Sequence, residues 1–473
     1  MVDKMSAVGL LISGGTLLLN LFCFRRPDGS LPADAPLVSI LVPARNEEHA
    51  IEACVRSLLA QNYPVFELIV LDDDSDDQTG DILHRIMKEC SSPISSSRRH
   101  DASASGGGES AGVVITDQQR SVSMRILQGT PLPTGWTGKN WACHQLAQAA
   151  NPRSRYLLFT DADTTHAPDA LRRTVAEAER DTIDLLSLMP MQQVETWAEV
   201  ATVPLLALQI LGYLPLPALE WLPLPAFAAA NGQFMLFRRE CYRKIGGHAA
   251  CANTMAEDVQ MARLVKQYNR QVRLKNGVGL VNCRMYQQST EVIAGFRRSF
   301  GSGFRIDAPV AAAVTLVNFV VYLLPFLRAI SHRSARLLAS IIIALRLLLA
   351  WRTNTPLRSA IAHPIGITLM LWAQLLAIYD TFIGQQARWK GRQYSKLDKN
   401  RADRSKEPVI IGIHNKFWFC KCGCKWNADD ADARRFTCSF FAKRKKSSKT
   451  APPLPFRLYG KGADFYQSFS PLP

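Results

Sequence analysis

The chain has 473 residues, of which 47% are apolar and 20% are charged. This apolar fraction excludes a wholly disordered protein, and 28 glycines without a regular period exclude a collagen-like repeat. The formal net charge is +16, and residues 385–473 carry 20 basic and 7 acidic side chains, so the tail supplies 20 − 7 = +13 of it. A basic tail beside apolar segments indicates contact with an anionic lipid surface rather than with nucleic acid. The 11 cysteines lack a regular spacing, which favours a reducing compartment over a disulfide framework.

The first predicted element is an apolar helix near the N-terminus. No residue from Met5 to Phe24 is charged, and Arg25 and Arg26 follow at once. A helix of about 20 apolar residues crosses a bilayer core of about 30 Å, so this run predicts a transmembrane helix, with a cleaved signal peptide as the alternative. Positive residues stay on the cytoplasmic side, so the two arginines predict a cytoplasmic domain after the helix.

Three more apolar segments lie in the C-terminal half. Residues 308–328 and 359–384 are each predicted to form a transmembrane helix. Residues 335–352 are apolar but interrupted by Arg346, so this segment either spans the membrane or lies in its interface. The number of C-terminal spans and the side of the tail remain open.

Residues 395–473 are predicted to form a disordered, basic tail. Its thiols at Cys420, Cys422, Cys424 and Cys438 lack the C-x₂₋₄-C pairs of structural zinc sites, so exposed thiols are favoured over zinc. The basic run at 443–449 fits a solvated or lipid-bound surface better than a nucleic-acid site in a chain with membrane segments.

Between the anchors, residues 37–305 show strand and helix patterns in alternation. Apolar runs predict strands at 37–42, 66–71, 124–127, 156–160 and 184–188, and amphipathic patterns predict helices at 47–60, 77–88, 140–150 and 168–179. This order predicts a mixed or parallel α/β sheet with ligands at the C-terminal ends of its strands.

Two stretches interrupt the alternation. Residues 91–121, rich in serine and glycine, are predicted to form a disordered surface insertion. Residues 198–230 are apolar and rich in proline, which predicts broken helices at the membrane interface; an apolar lining inside the domain is the alternative.

Acidic clusters follow two predicted strands and open one helix. They are the run from Asp72 to Asp77, which only Ser75 interrupts, the Asp161-Ala162-Asp163 triplet, and the pair Glu257-Asp258. Each alone is ordinary, since aspartate caps helices and acidic residues favour helix N-termini. Together they fit one chemistry, in which carboxylates hold Mg²⁺ or Mn²⁺ against a diphosphate leaving group and a separate carboxylate deprotonates an acceptor hydroxyl.

This ordered set of motifs resembles the family-2 glycosyltransferases with the GT-A fold, from about residue 37 to about 394. The resemblance rests on VPARNEE at 42–48, on LDDDSDDQT at 71–79, where Asp74 replaces the usual glycine, on Asp161-Ala162-Asp163, and on Ala256-Glu257-Asp258. GWTGKNWA at 135–142 and WKGR at 389–392 resemble the membrane branch that modifies hopanoids and carotenoids. The Q-x-x-R-W motif of processive polysaccharide synthases is not found.

The resemblance implies a role for each matching residue. Asp258 would be the catalytic base and Glu257 its orienting neighbour, while Asp163, with Asp161, would bind the metal. The donor would meet the side chains of Pro43, Glu47, Asp72, Asp73, Lys139, Asp161 and Arg298, with Arg297 as the alternative to Arg298 at the departing diphosphate.

The sequence therefore predicts an integral membrane, inverting glycosyltransferase with a GT-A domain and terminal transmembrane helices. Its expected partners are a nucleotide-sugar donor, a lipid acceptor with a hydroxyl group and the membrane, with no nucleic acid. Two alternatives are a processive polysaccharide synthase and a non-catalytic membrane-surface binding protein. The sugar, the nucleotide and the acceptor remain open.

Overall fold

The structure is a computed structural model. It describes residues 2–32, 34–91, 111–116, 120–300, 308–383, 387–389, 392–394, 409–413, 416–420, 456–460 and 463–467. The chain divides into two units, Met1–Asp398 and Lys399–Pro473.

The helices of the first unit belong to the α/β domain, to the proline-rich stretch and to the apolar segments at both ends. They are α1 (Val2–Cys23), α2 (Ile51–Leu59), α3 (Thr79–Ser91), α4 (Gly138–Ala149), α5 (Ala170–Arg180), α6 (Trp197–Thr202), α7 (Pro204–Tyr213), α8 (Leu216–Trp221), α9 (Arg239–Lys244), α10 (Glu257–Gln267), α11 (Ser289–Arg298), α12 (Ala308–Asn318), α13 (Leu324–Arg328), α14 (Arg333–Thr353), α15 (Arg358–Ile361) and α16 (His363–Ile383). A π-helical segment, Phe319–Leu323, joins α12 to α13.

The strands form one large sheet and several small ones. They are β1 (Val38–Ala44), β2 (Val65–Asp72), β3 (Ala111–Thr116), β4 (Ser121–Gln128), β5 (Tyr156–Phe159), β6 (Thr164–His166), β7 (Leu185–Met189), β8 (Met191–Gln192), β9 (Met235–Arg238), β10 (Val272–Asn276), β11 (Val281–Cys283), β12 (Ala387–Trp389) and β13 (Arg392–Tyr394). The large sheet has the order β10-β7-β9-β5-β1-β2-β4-β3, and a second sheet has the order β6-β11-β8.

The large sheet is mixed, as the sequence predicts for a GT-A domain. β1 lies at its centre and pairs in parallel with both β2 and β5. β1 and β2 are buried along almost their whole length, which explains their continuous apolar sequence. Because β2, β1 and β5 are parallel neighbours, the chain segments that follow them emerge at one edge of the sheet.

Three strands of the large sheet, β3, β9 and β10, were not predicted. β9 runs antiparallel between β5 and β7, and β3 pairs antiparallel with β4 at the sheet edge. The sequence before β9 is a long apolar stretch without the turn signals that normally delimit a strand. β3 lies inside the predicted disordered insertion, which is therefore wrong for residues 111–116, and residues 92–110 and 117–119 lie outside the described part of the chain.

Four of the described helices are long and apolar enough to cross a membrane. They span Val2–Cys23, Pro309–Arg328, Arg333–Thr353 and His363–Thr381. The last begins four residues later than predicted, because residues 358–361 form the separate short helix α15.

The N-terminal helix is fixed to the proline-rich stretch by one buried asparagine. The Asn20 amide nitrogen donates to the carbonyls of Leu211 and Leu214, each at 2.7 Å, and its oxygen accepts from the backbone nitrogen of Leu216 at 2.8 Å. These bonds satisfy backbone groups at the end of α7 and the start of α8, which have no partner within their own helices. The stretch therefore forms short helices, of which α7 and α8 pack against α1.

Arg346, which interrupts the third C-terminal segment in the sequence, points into the protein. Its side chain is buried, and its guanidinium donates to the carbonyls of Pro204 at 3.0 Å and Ser359 at 3.2 Å. The outer surface of α14 instead carries apolar side chains such as Leu337 and Trp351. Because Arg346 points into the protein, it does not interrupt the apolar outer surface of α14.

In the second unit, the described residues form two antiparallel hairpins. β14 (Val409–Ile413) pairs with β15 (Lys416–Cys420), and β16 (Phe456–Gly460) pairs with β17 (Ala463–Gln467). The prediction of a disordered tail is wrong for these four segments. Residues 421–455, which include the basic run and most of the cysteine motif, lie outside the described residues.

Candidate active site

The first two acidic clusters flank the C-terminal end of the central strand. The backbone nitrogen of Asp73, which follows β2, donates to the carbonyl of Ala44 at 2.8 Å. On the other side, the backbone nitrogen of Thr160, which follows β5, donates to the carbonyl of Leu41 at 3.2 Å. Pro43 and Glu47 lie at the end of β1 and in the loop after it, between the two clusters. The strand order thus brings these predicted donor residues to one edge of the sheet.

Asp72 holds the turn that follows β2. One of its carboxylate oxygens accepts from the backbone nitrogen of Ser75 at 3.1 Å and from its hydroxyl at 2.6 Å. Asp73 is also buried, and its backbone packs closely against Gly129. Part of the acidic run therefore has the structural role that isolated aspartates have in turns.

The departure from the family pattern at Asp74 is accommodated by the backbone. Asp74 has φ +60°, a left-handed conformation that glycine adopts freely and that aspartate tolerates better than most residues. Arg45 donates to its carbonyl at 2.6 Å and pairs with its carboxylate at 3.8 Å. The turn is therefore preserved without the glycine.

Lys139 joins the second and third acidic clusters. Its ammonium nitrogen lies 2.8 Å from a carboxylate oxygen of Asp161 and 2.8 Å from one of Glu257. Burial acts to lower the pKa of Lys139, but the charges of Asp161 and Glu257 outweigh it and hold that pKa well above its usual value. The lysine is thus a fixed positive charge between the predicted metal loop and the predicted base.

Asp258 lies beside this ion-pair cluster at the start of α10. Its carboxylate accepts from the backbone nitrogen of Gly232 at 3.1 Å and from that of Val259 at 2.7 Å. Burial and the neighbouring charge of Glu257 raise the pKa of Asp258 from 3.8 to about 6. A carboxylate of this pKa is a stronger base than an ordinary aspartate and is still mostly ionised at pH 7.

The GWTGKNWA segment connects the lysine to the base through one buried side chain. The Asn140 amide nitrogen donates to the carbonyls of Cys251 at 2.7 Å, Ala252 at 3.2 Å and Thr254 at 2.8 Å. The backbone nitrogen of Thr137 also donates to the Ala252 carbonyl, at 2.8 Å. These four bonds fix the loop that leads into Glu257 and Asp258.

The same segment starts α4 with a constrained turn. Gly135 has φ +90°, which strains any residue with a side chain, and the Thr137 hydroxyl caps the helix by accepting from the backbone nitrogen of Asn140. The Trp136 and Trp141 rings pack edge to face at 5.0 Å between centroids. The glycines and tryptophans therefore position Lys139, which lies in the first turn of α4, two residues after the cap.

Of the two arginines considered for the diphosphate, one is committed elsewhere. The Arg297 guanidinium makes two hydrogen bonds to Asp380 of α16, one of them at 2.6 Å. The charges of Arg298 and Asp163 both act on Tyr286, whose pKa burial raises to about 12. Because Arg297 is held against α16, Arg298 stays the arginine predicted for the diphosphate.

Asp161 and Asp163 provide the hard oxygen ligands that Mg²⁺ and Mn²⁺ prefer. Among the described residues, no three His, Cys, Asp or Glu side chains are grouped as a complete metal site. Asp161 and Asp163 are still sufficient to hold such an ion, because Mg²⁺ is commonly bound by one or two carboxylates together with substrate phosphates and water. The residues present are thus suited to a metal that binds with the donor diphosphate.

Two residues of this site were not predicted from the sequence. Gly232 places its backbone nitrogen on Asp258, and a Cβ at this position would lie 3.2 Å from the Lys139 nitrogen and 3.3 Å from Glu257. Asn140 holds the loop before the base. The signal for Gly232 was available in Ala-Ala-Asn-Gly-Gln at 229–233, a run of small and polar residues at the end of an apolar stretch.

The mixed sheet, with acidic residues gathered at the C-terminal end of its central strand, defines a GT-A type glycosyltransferase domain. The sequence model described as "Glycosyl transferase family 2" matches residues 39–105, and that described as "Glycosyl transferase family 21" matches residues 114–402. The second match covers more than half of the chain, which therefore belongs to the family-21 glycosyltransferases, with family-2 sequence at the start of the domain. The predicted family and fold class are confirmed.

Curated relatives are carotenoid glycosyltransferases of low identity. The chain is 23% identical over 279 residues to the 4,4'-diaponeurosporenoate glycosyltransferase of Staphylococcus haemolyticus, covering 58% of this chain and 63% of that protein. It is 23% identical over 375 residues to the enzyme of the same name from Staphylococcus aureus strain MRSA252, covering 76% of this chain and 88% of that protein. The first match thus spans less than two thirds of the relative's length.

Two solved structures with a similar chain fold are a mannosyltransferase and a protein bound to UDP. The mannosyltransferase PcManGT from Pyrobaculum calidifontis, in complex with GDP-Man and Mn²⁺, has a TM-score of 0.47 and 16% identity, covering 82% of this chain and all of that one. TarS from S. aureus, in complex with UDP, has a TM-score of 0.33 and 13% identity, covering 76% of this chain and 97% of that one.

Proposed function

We propose that this glycosyltransferase moves a sugar from a nucleotide-sugar to the hydroxyl group of an isoprenoid-type lipid, with inversion and with a divalent cation. The observation that carries the proposal is the cluster in which Lys139 joins Asp161 to Glu257, next to Asp258. In this cluster Asp161 would serve as a metal ligand, Lys139 as a cation for phosphate and Asp258 as the base. These are the groups that a single displacement at the anomeric carbon requires.

In this mechanism the base and its neighbours have separate tasks. Asp258 removes the proton from the acceptor oxygen as that oxygen attacks the anomeric carbon and the bond to the diphosphate breaks. The Gly232 and Val259 nitrogens orient its carboxylate. Glu257 holds the Lys139 ammonium, which is placed to neutralise the departing diphosphate. One displacement inverts the configuration, so no nucleophile of the enzyme is needed.

Asp163 and Asp161 would hold the Mg²⁺ or Mn²⁺ ion, which supplies Lewis-acid stabilisation of the leaving diphosphate. Arg298 would add a second positive charge for that group. Pro43, Glu47, Asp72 and Asp73 line the edge on which the nucleoside would lie.

The lipid acceptor is supported by how the domain packs against apolar helices. The domain's proline-rich helices contact α1 through Asn20 and approach α14 through Arg346. Trp221 and Leu224 of this stretch are also exposed. An acceptor could therefore reach the site from the bilayer, in agreement with relatives named for a carotenoid substrate. A processive synthase is less favoured because its Q-x-x-R-W motif is missing from the sequence.

The proposal is tested by incubating the purified full chain with a panel of nucleotide-sugars and extracted membrane lipids. We expect one sugar to be added to an isoprenoid-type lipid, seen as a mass increase of one glycosyl unit. Successive additions that build a polymer would instead identify a processive synthase. Nucleotide-sugar binding without transfer to any of these lipids would contradict the proposal.

A second prediction concerns orientation in the membrane. Asp3, at the start of α1, pairs with Arg328 at 2.8 Å, so the turn at 329–332 lies at the N-terminal end of α1, whereas the domain follows its C-terminal end. If α1 spans the membrane with the domain in the cytoplasm, the turn is outside. Ile330 lies in this turn and is 88% exposed, so a thiol at this position reports which side of the membrane the turn faces. Ser91 is exposed on α3, so a thiol there reports the side that holds the domain.

We therefore expect Ile330→Cys to react with an impermeant thiol reagent in intact cells and Ser91→Cys to react only after lysis. Both are made in a background in which serine replaces Cys23, Cys90 and the cysteines at 420, 422, 424 and 438, because the first two are partly exposed and the tail thiols are predicted to be exposed. Labelling of Ser91→Cys in intact cells would overturn the cytoplasmic assignment. Labelling of both sites from one side would show that α1 does not span.

A further inference from the structure

An open cavity of about 320 Å³ lies where α1 and α14 end beside the α/β domain. Arg26, three residues after α1, lines it together with Trp351, Arg352 and Asn354 at the end of α14. Val278, in the loop after β10, lines it from the domain. A water molecule takes up about 30 Å³ of liquid, so the cavity has room for a group as large as a phosphodiester headgroup.

Positive charge gathers at this cavity. Arg26 and Arg352 line it, and the charge of Arg25 also acts on Arg352. None of these three arginines takes part in an ion pair among the described residues. Asp28, two residues after Arg26, pairs instead with Arg180 at 2.8 Å. The C-terminal ends of α1 and α14 each add a partial negative charge of about half a unit, but three guanidinium charges outweigh them, so the cavity attracts an anion.

The cavity lies at one end of two helices that are long enough to cross a bilayer. At the far end of α1 and α14, the Ser334 hydroxyl donates to the Asp3 carboxylate at 2.5 Å. At the cavity, the Arg352 guanidinium donates to the Phe24 carbonyl. The 21 residues of α14 extend about 32 Å, close to the thickness of a bilayer core. Trp351 is 73% exposed beside the cavity, and exposed tryptophans prefer the level of the lipid headgroups, so the anion expected there belongs to a lipid.

We propose that this cavity binds the phosphodiester group of an anionic membrane lipid, with Arg26 and Arg352 as the side chains that hold it. Guanidinium groups suit this task because their paired N–H donors match phosphate oxygens. The bound lipid would hold the domain at the membrane, since the backbone nitrogen of Asn276, at the end of β10, already donates to the carbonyl of Arg25 at 3.0 Å. The cavity shares no residue with the proposed donor site, and the inference does not rest on the proposed function.

The test uses photolabelling, which does not depend on turnover. The full chain is reconstituted into phosphatidylcholine nanodiscs that contain a trace of phosphatidylglycerol with a diazirine beside its headgroup, and phosphatidylcholine with the same diazirine is the neutral probe. Mass spectrometry identifies the labelled residues. We expect phosphatidylglycerol to label Val278 or residues 351–354 several-fold more strongly than the neutral probe, because the arginines attract its net negative charge. Inorganic phosphate at millimolar concentration should not compete.

The variants remove one charge at a time. Arg26→Gln should reduce labelling by phosphatidylglycerol roughly fivefold, the effect of one arginine near an anionic lipid, while Arg26→Lys should keep most of it. Arg153→Gln is the matched control, since Arg153 is exposed in the loop before β5, at the sheet edge opposite the end of β10. It should label as the unmodified chain does. An unchanged midpoint of thermal unfolding shows that each variant is folded.

Equal labelling of the cavity by the two lipid probes would overturn the proposal. So would equal labelling of the unmodified chain and a folded Arg26→Gln variant, or an equal reduction in Arg153→Gln. Competition by inorganic phosphate would overturn the lipid assignment and identify a free phosphate as the ligand of this cavity.

Discussion

Replacing Asp258 by asparagine should lower kcat by roughly 10²–10⁴, because the variant keeps the shape of the side chain but cannot accept the proton of the acceptor hydroxyl. Nucleotide-sugar binding should stay within a few-fold, since Lys139 and its two carboxylate partners are untouched. The measurement is the single-turnover rate together with donor affinity. Asp181→Asn is the control, because Asp181 lies at the end of α5, before β7 begins, at the opposite edge of the sheet.

A structural role for Asp258 would give a different result. Both of its oxygens accept from backbone nitrogens, so asparagine loses one of these two bonds. A thermal-unfolding measurement must therefore accompany the rates. Normal transfer by the variant would remove Asp258 from the mechanism and make Glu257 the next carboxylate to test. A slow variant that is also extensively unfolded would indicate a structural role instead.

The pH profile gives a second measurement on the same residue. With its pKa raised to about 6, Asp258 is ionised above pH 6 and protonated below it. Because the base acts in its ionised form, kcat/KM should fall about tenfold for each pH unit below about 6 and be level above it. This acid limb should be absent from the residual activity of Asp258→Asn. A limb that persists in the variant would belong to another group.

The sequence could show that two of the acidic clusters lie at one edge of the sheet, because each of these two follows a strongly marked strand. β1, β2 and β5 are continuous apolar runs, and their loops reach one edge through parallel pairing, which makes Asp72, Asp73 and Asp161 neighbours. Local pattern could not give the long-range contacts of Lys139. Its pairing with Glu257 joins α4 to α10 across more than a hundred residues of sequence, and only the folded chain brings them together.

Physical reasons also explain why the sequence did not predict some elements of the fold. β9 is a four-residue strand at the end of an apolar stretch, and its antiparallel direction depends on pairing with β5 and β7 rather than on its own residues. Arg346 looked like an interruption of a spanning helix, because the sequence does not show which face a side chain occupies. Its partners, Pro204 and Ser359, are backbone carbonyls, which leave no trace in the sequence.

The largest expected effect comes from removing the proposed metal ligand. Asp163→Ala should lower turnover by roughly 10³-fold or more, because the ion held there would stabilise the charge of the leaving diphosphate by several kcal/mol. The unmodified enzyme should lose activity in excess chelator and regain it with Mg²⁺ or Mn²⁺. The measurement is the initial rate across a metal titration, with Mn²⁺ binding followed separately by electron paramagnetic resonance in the presence of nucleoside diphosphate.

Asp181→Ala is the matched control, since it removes an aspartate that pairs only with its neighbour Arg180 at 2.9 Å among the ion pairs of the described residues. It should keep both the rate and the metal dependence. Asp163→Ala should also lose Mn²⁺ binding in the presence of nucleoside diphosphate, because Asp161 alone remains and is already paired with Lys139. Full activity of the unmodified enzyme in excess chelator would contradict the metal assignment and leave Lys139 and Arg298 as the charges that stabilise the leaving group.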